Sequence, residues 1–209
     1  MSVRRSPRLV SDRPPGPEEV RPAFELVPLR DADASALLGI LSGQRTAFDP
    51  WLRWSAGIQD LAAARTFIAA ANEREREGNG FHLGIRRGDA LVGGVVCWYV
   101  QAHHRNCELG YWLDPAFRGQ GLVHLAMGGV ITRLFGERGL HRVELQCAAH
   151  NTASRRVAER LGFTFEGVRR ESHWITDRFV DHAVYGLLAP RWAELTAPRT
   201  SSRSARHTP

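Results

Sequence analysis

Apolar and polar positions between residues 23 and 196 follow two different periodicities. Short runs rich in β-branched and aromatic residues separate longer stretches with helical spacing and glycine at their ends. The pattern predicts strands over 24–30, 81–86, 91–100, 107–113, 142–148, 163–173 and 178–188. It predicts helices over 31–43, 58–77, 119–137 and 152–161, with an irregular segment over 44–54. The order β-α-α-β-β-β-α-β-α-β-β predicts an α/β protein, a mixed sheet with helices packed on its faces.

The two ends of the chain lack this periodicity. A Pro/Arg-rich head (1–22) and a Ser/Thr/Arg tail (197–209) are predicted to be disordered, which leaves one domain over 23–196. The net charge of +6 comes largely from arginines in these ends. A nucleic-acid-binding protein is therefore an alternative that the charge alone suggests, and no recognised motif supports a specific nucleic-acid partner.

Composition also bears on the compartment. The three cysteines have no CxxC spacing, no export signal precedes them, and no apolar run approaches the length of a membrane span. We therefore expect a cytoplasmic protein with free thiols and no membrane partner.

A glycine-rich turn carries the first candidate chemistry. The strand that ends at Leu113 is followed by Asp114-Pro115 and then by Arg118-Gly119-Gln120-Gly121 at the start of a helix. Free amides at a helix N-terminus, together with an arginine, suit an anion such as phosphate. Neither a P-loop lysine nor the third glycine of a dinucleotide fingerprint is present. By itself the turn is equally consistent with ordinary helix entry.

Three segments in one order resemble the GCN5-related N-acetyltransferase (GNAT) superfamily. The turn fits the cofactor motif Arg/Gln-x-x-Gly-x-Gly/Ala at Arg118 and Gly121, and Val123 departs from it at the third position. Residues 108–115 (ELGYWLDP) and 150–163 (HNTAS through LGF) resemble the Rim-type branch, which acetylates the N-termini of ribosomal proteins. The resemblance implies a mostly antiparallel central sheet, splayed between its fourth and fifth strands, with helices on both faces.

The resemblance also implies a co-substrate, acetyl-coenzyme A, and no metal. The pantetheine arm would lie between the splayed strands, the pyrophosphate on the turn, and the Asn151 side chain on a pantetheine amide. The implied cofactor-binding residues are Leu113, Arg118, Gly119, Gln120, Gly121, Leu122, Val123, Asn151 and Ser154.

Two residues are candidates for proton transfer. Glu108 lies on the strand before the splay, where a carboxylate is near the thioester and can accept the proton of the amine directly or through water. Its alternative is a structural carboxylate. The tyrosine that many family members use to protonate the thiolate is replaced by Ala158. The resemblance implies Ser154 as its substitute, with helix capping as the alternative.

Other reactive residues suggest weaker alternatives. Cys147 with His150 would allow an acyl-cysteine route. The pair His103 and His104, together with Cys107, suggests zinc, but no fourth ligand is evident, and we predict no metal.

Aromatic residues are the candidates for the acceptor site. Trp51 and Trp54 after the first helix and Trp174 in the last hairpin are predicted to line it, with core packing as the alternative. The resemblance favours the N-terminal α-amine of a protein as acceptor. A small amine, such as an antibiotic or amino-acid derivative, and a catalytically silent acyl-CoA-binding domain are the alternatives. Either a monomer or a homodimer is compatible with the sequence.

Overall fold

The computed structural model describes residues 23–198. The predicted head and the tail beyond residue 198 lie outside the described residues. The strands are β1 (Glu25–Pro28), β2 (Phe81–Arg87), β3 (Ala90–Gln101), β4 (Asn106–Leu113), β5 (Arg142–Ala148), β6 (Thr164–Ile175) and β7 (Arg178–Leu188). The helices are α1 (Ala34–Gly43), α2 (Arg45–Phe48), α3 (Leu61–Arg76), α4 (Leu122–Gly136), α5 (Thr152–Arg160) and α6 (Ala189–Thr196).

A seven-stranded sheet in the order β1-β2-β3-β4-β5-β7-β6 forms the centre of the fold. Neighbouring strands are antiparallel except β4 and β5, which are parallel. The predicted mixed, mostly antiparallel sheet is therefore confirmed. β1 lies at an edge of the sheet. Pro28, which has no backbone N–H to donate, is tolerated in an edge strand.

The helices cover both faces of the sheet. On the front face, α4 and α5 pack on side chains that alternate along β4 and β5, among them Cys107, Leu109 and Leu145. On the back face, α1 and α3 form a second core with Trp112 and Leu91. Adjacent residues of β4 therefore point into different environments, which is the basis of the site described below.

Helix boundaries differ from the prediction where backbone geometry overrides composition. The predicted start of α4 at Gly119 is wrong: the helix begins at Leu122, because Gly119 and Gly121 have φ of 77° and 74°. α3 begins at Leu61, where the Asp60 side chain accepts a hydrogen bond from the Ala63 amide and caps the helix.

Two helices were not predicted. The short α2 lies within the segment expected to be irregular, and α6 follows β7 directly. Trp192 of α6 donates a hydrogen bond from Nε1 to Thr132 Oγ1 at 3.1 Å, which ties α6 to α4. No helix within residues 23–198 is long and apolar enough to span a membrane.

Candidate active site

A gap opens in the centre of the sheet between β4 and β5. The two strands pair only from Asn106–Arg142 to Leu109–Leu145, although β4 continues to Leu113 and β5 to Ala148. The outer edge of β5 remains paired with β7 as far as Ala148. Segments 110–113 and 146–148 thus face each other without a ladder, and their inner backbone groups can bind an extended ligand. The predicted divergence of strands four and five is confirmed.

The glycine-rich turn stands at the N-terminus of α4 on the front face. Backbone amides of Gly119, Gln120 and Gly121 make no hydrogen bond to any other residue within 23–198. No side chain caps the helix at Gly121, so the first-turn amides are also open to a ligand. Together with the helix dipole and the exposed Arg118 side chain, these amides form a cradle for an anion.

A second arginine lies beside this cradle. Arg87, at the end of β2, donates a hydrogen bond from Nη1 to Gln120 Oε1 at 2.7 Å. Sequence analysis did not find Arg87, because it lies on a strand far from the turn in the chain. Its guanidinium adds positive charge where Arg118 was the only predicted cation.

Tyr111 and Ser154 form a hydroxyl pair on the front face of the gap. The Tyr111 hydroxyl donates to Ser154 Oγ at 3.1 Å, and Asn151 Oδ1 accepts from the Ser154 amide at 3.1 Å. Burial raises the pKa of Tyr111 to about 12, so the phenol keeps its proton at neutral pH. The position where the family places its tyrosine, Ala158, is fully buried in the core. A tyrosine hydroxyl nevertheless reaches this region, supplied by β4 instead of α5.

The acyl-cysteine alternative gains no support from the geometry. Cys147 lies close to Ser154, but burial raises the pKa of its thiol, which disfavours the thiolate. The proposed partner, His150, packs against Trp51 with ring centroids 5.0 Å apart.

Glu108 lies on the back face at the closed end of the gap. Gln146 Nε2 donates to Glu108 Oε2 at 3.2 Å, and the Tyr99 hydroxyl forms a second hydrogen bond to the carboxylate. Burial, followed by the neighbouring charge of Glu144, raises the pKa of Glu108, and Arg169 opposes that shift. A raised pKa makes the carboxylate a stronger proton acceptor. Its two hydrogen bonds hold it in place.

The three predicted acceptor tryptophans lie in different environments. Trp51 contacts His150 beside the open end of the gap. Trp54 stacks on Phe67 at 4.8 Å in the core behind the sheet. Trp174 is half exposed and packs edge-on against Phe179 at 4.9 Å. The structure places Trp51 beside the end of β5 and Trp54 next to Trp112 in the open part of β4, with ring centroids 6.2 Å apart. Acceptor contacts of all three tryptophans stay predictions.

A histidine pair that sequence analysis did not single out completes the back face. The rings of His173 and His182 stack with centroids 3.6 Å apart and an interplanar angle of 5°. His182 lies opposite Ala148, the last residue of β5 at the gap. It is buried, and neither of its ring nitrogens has a hydrogen-bond partner among residues 23–198. Burial lowers its pKa to about 4, so the ring is neutral.

Comparison with known proteins agrees with this geometry. The family described as an Acetyltransferase (GNAT) domain matches residues 24–164. The chain belongs to the GNAT family of acetyltransferases. Among curated relatives, a putative ribosomal N-acetyltransferase of Bacillus subtilis, YdaF, is 30% identical over 170 residues, which cover 81% of this chain and 92% of the relative. The ribosomal-protein-serine acetyltransferase of Escherichia coli is 24% identical and covers 81% of this chain and 95% of its own length.

Solved structures show the same fold. A RimL ribosomal L7/L12 α-N-protein acetyltransferase in complex with coenzyme A has a TM-score of 0.75 at 22% identity, over 79% of this chain and 93% of its own. The microcin C7 self-immunity acetyltransferase MccE, in complex with acetyl-CoA and AMP, has a TM-score of 0.75 at 23% identity, over 79% and 92% of the two chains. The N-acetyltransferase assignment is thus shown by the family match and by the relatives.

Proposed function

We propose that this N-acetyltransferase moves the acetyl group of acetyl-CoA to the N-terminal α-amine of a protein, with ribosomal proteins as the first acceptors to test. The observation that carries the proposal is the gap between β4 and β5, with an anion cradle at one side, the Tyr111–Ser154 hydroxyl pair on the front face and the Glu108 carboxylate on the back face. Relatives named as ribosomal-protein acetyltransferases support the acceptor class.

Acetyl-CoA fits the open groups of the gap and the cradle. Its pyrophosphate would bind the amides of residues 119–123 with Arg118 and Arg87 nearby, since both guanidinium groups lie at this turn. The pantetheine arm would follow the inner edge of β4 up to Leu113, where no strand competes for the backbone. Asn151 uses Oδ1 to cap α5, which leaves its Nδ2 to donate to a pantetheine carbonyl.

The two faces of the sheet divide the proton transfers. The acceptor amine must lose a proton on the back face, where Glu108 lies, and its nitrogen then attacks the thioester carbon. When the carbon–sulfur bond breaks, the thiolate takes the proton of the Ser154 hydroxyl on the front face. The Tyr111 hydroxyl, which donates to Ser154 Oγ, replaces that proton and is reprotonated from solvent through the gap. The nitrogen releases its second proton to solvent as the carbon–sulfur bond breaks, which leaves a neutral amide and free thiol. Both donors are protonated at neutral pH.

The decisive experiment follows acetyl transfer from labelled acetyl-CoA to a panel of acceptors. The full-length protein is incubated with ribosomal proteins, with peptides that bear free N-termini, and with small amines, and thiol release and labelled products are measured. We expect the label on an N-terminal α-amine. Transfer confined to small amines would overturn the acceptor assignment. Saturable acetyl-CoA binding without transfer to any acceptor would show that the protein binds acetyl-CoA but is not an enzyme.

A further inference from the structure

The Ser172 hydroxyl contacts both the β6 backbone and the His173 ring. Ser172 Oγ donates its only hydrogen to the Arg169 carbonyl at 3.1 Å, and the same Oγ lies 3.1 Å from His173 Nδ1. An Oγ that donates to the carbonyl can only accept from the ring, and in that arrangement Nδ1 carries the proton. In this tautomer the other ring nitrogen, Nε2, has a free lone pair.

A bulge in β6 builds this arrangement. Between Arg169 and His173 the pairing with β7 shifts, and Glu171 takes a left-handed conformation with φ of 48°. The Glu171 amide donates to Asp181 Oδ1 at 2.8 Å, which holds the bulge in place. A non-glycine residue in this region is strained, and such strain persists where the surrounding structure fixes it. Here the bulge turns Ser172 back towards the Arg169 carbonyl.

The surroundings keep both rings of the pair neutral. Two parallel rings 3.6 Å apart disfavour simultaneous protonation because like charges would face each other. The charged and titratable groups whose charges act on the pair are Arg169 on β6, Arg53 after α2 and His150 after β5. Burial, followed by Arg169 and Arg53, lowers the pKa of His173 below 6.5.

The pair lies on the back face of the sheet, next to β5. His182 on β7 is opposite Ala148, the last residue of β5, and the gap lies on the other side of this one strand. Arg169 of β6 donates from Nη1 to Gln146 Oε1 at 3.4 Å, and Gln146 Nε2 donates to Glu108 Oε2 at 3.2 Å. Hydrogen bonds therefore connect the strand that carries His173 to Glu108. Tyr111 and Ser154 occupy the opposite face.

We infer that His173 is a second catalytic residue, whose Nε2 takes the proton of the acceptor ammonium before attack. The N–H bond breaks, the proton joins Nε2, and the electron pair stays on the amine nitrogen, which then attacks the thioester carbon. Glu108 keeps its charge and stabilises the ammonium and then the imidazolium. His182 supports the His173 ring by stacking. The inference rests on the proposed function and names the residue that deprotonates the acceptor.

The first test reads the tautomer without any turnover. Nitrogen NMR of the full chain, labelled at histidine, distinguishes a protonated ring nitrogen from a bare one. At pH 7 we expect His173 to be neutral with Nδ1 protonated and Nε2 bare, and the Ser172→Ala variant to lose this preference. A cationic His173 at pH 7, or a proton on Nε2, would overturn the inference.

The second test is the pH dependence of kcat with the best amine of the panel. His173→Gln should lower kcat by about 100-fold, within the usual range for loss of a general base, and should remove the acid limb of the profile. The KM for acetyl-CoA should stay unchanged, and the limb should persist in Glu108→Gln. The matched control is His104→Gln, an exposed histidine in the β3–β4 turn, which should behave as wild type.

The outcomes separate this inference from the proposed function. If His173→Gln keeps the wild-type kcat and acid limb, the role of His173 is wrong while acetyl transfer stands. If the wild-type chain acetylates no amine at all, the proposed function fails, and with it the role of His173. If His173 only stacks on His182, the His173→Gln variant should be less stable but keep the acid limb of its pH–kcat profile. That result would also refute the inference.

Discussion

Acid should destabilise this protein through a histidine that the fold holds neutral. His82 on β2 is 1% exposed, and its Nε2 accepts a hydrogen bond from Trp112 Nε1 at 2.8 Å. Burial, with a smaller effect of Arg74, lowers its pKa from 6.5 to about 3. His82 of the unfolded chain therefore binds a proton below pH 6.5, whereas His82 of the folded chain binds one only near pH 3. The stabilisation is present above pH 6.5 and is lost as the pH falls.

The size of the effect follows from the shift. Each pKa unit corresponds to about 1.4 kcal/mol, so protonation of unfolded His82 between pH 7 and pH 5 costs about 2 kcal/mol of stability. His82→Gln cannot titrate, and its side-chain oxygen can still accept from Trp112. The difference in free energy of unfolding, wild type minus variant, should fall by about 2 kcal/mol from pH 7 to pH 5.

Urea unfolding followed by circular dichroism at pH 7, 6 and 5 measures this difference. Packing changes at position 82 shift all three values equally and cancel in the comparison across pH. His104→Gln provides the control for replacing a histidine by glutamine at an exposed position. A constant difference for His82→Gln would show that the buried ring gains a proton as readily as the unfolded one, and the reasoning would be refuted.

Three further substitutions test the site. Tyr111→Phe removes the donor to Ser154 and should lower kcat by at least tenfold with acetyl-CoA affinity unchanged, as steady-state kinetics will show. Gly121→Ala forces an alanine to φ of 74°. The strain of about 1–2 kcal/mol should weaken acetyl-CoA binding up to about tenfold. The control Gly39→Ala, within helix α1, should leave acetyl-CoA binding unchanged. Arg87→Ala should weaken acetyl-CoA binding about threefold by calorimetry, with the loss smaller at high salt.

Local patterns predicted most of the fold. Alternation and boundary glycines located every strand and the four main helices, because each buries one side and exposes the other. The start of α4 was misplaced because the presence of glycines in the sequence does not reveal which backbone angles they adopt in the turn. α6 was missed because it is short and follows β7 at once, with Pro190 in its first turn, a residue that also ends elements.

The candidate site was predictable only in part. The cradle is a contiguous motif, and Glu108 and Ser154 lie in segments that carry the family resemblance. The Tyr111–Ser154 hydrogen bond joins residues 43 positions apart, which no local pattern encodes. The histidine pair depends on the bulge in β6, and Glu171 is not a residue type that signals a left-handed backbone. Strand alternation alone would have placed His173 and Arg169 on one face, but would not have revealed the contact of Ser172 with the His173 ring.

The short pairing of β4 with β5 has a mechanical consequence. Within residues 23–198, backbone pairing connects strands β1 to β4 with strands β5 to β7 at only four residue pairs, whereas β4 pairs with β3 and β5 with β7 along their whole length. Along the rest of the gap the two halves of the sheet are held together by the helices packed on the front face and not by strand pairing. An extended ligand bound in the gap between β4 and β5 would connect the two halves of the sheet directly. Because this ligand is also the molecule that reacts, its binding would make the sheet more rigid and release of the product would make it less rigid in every turnover.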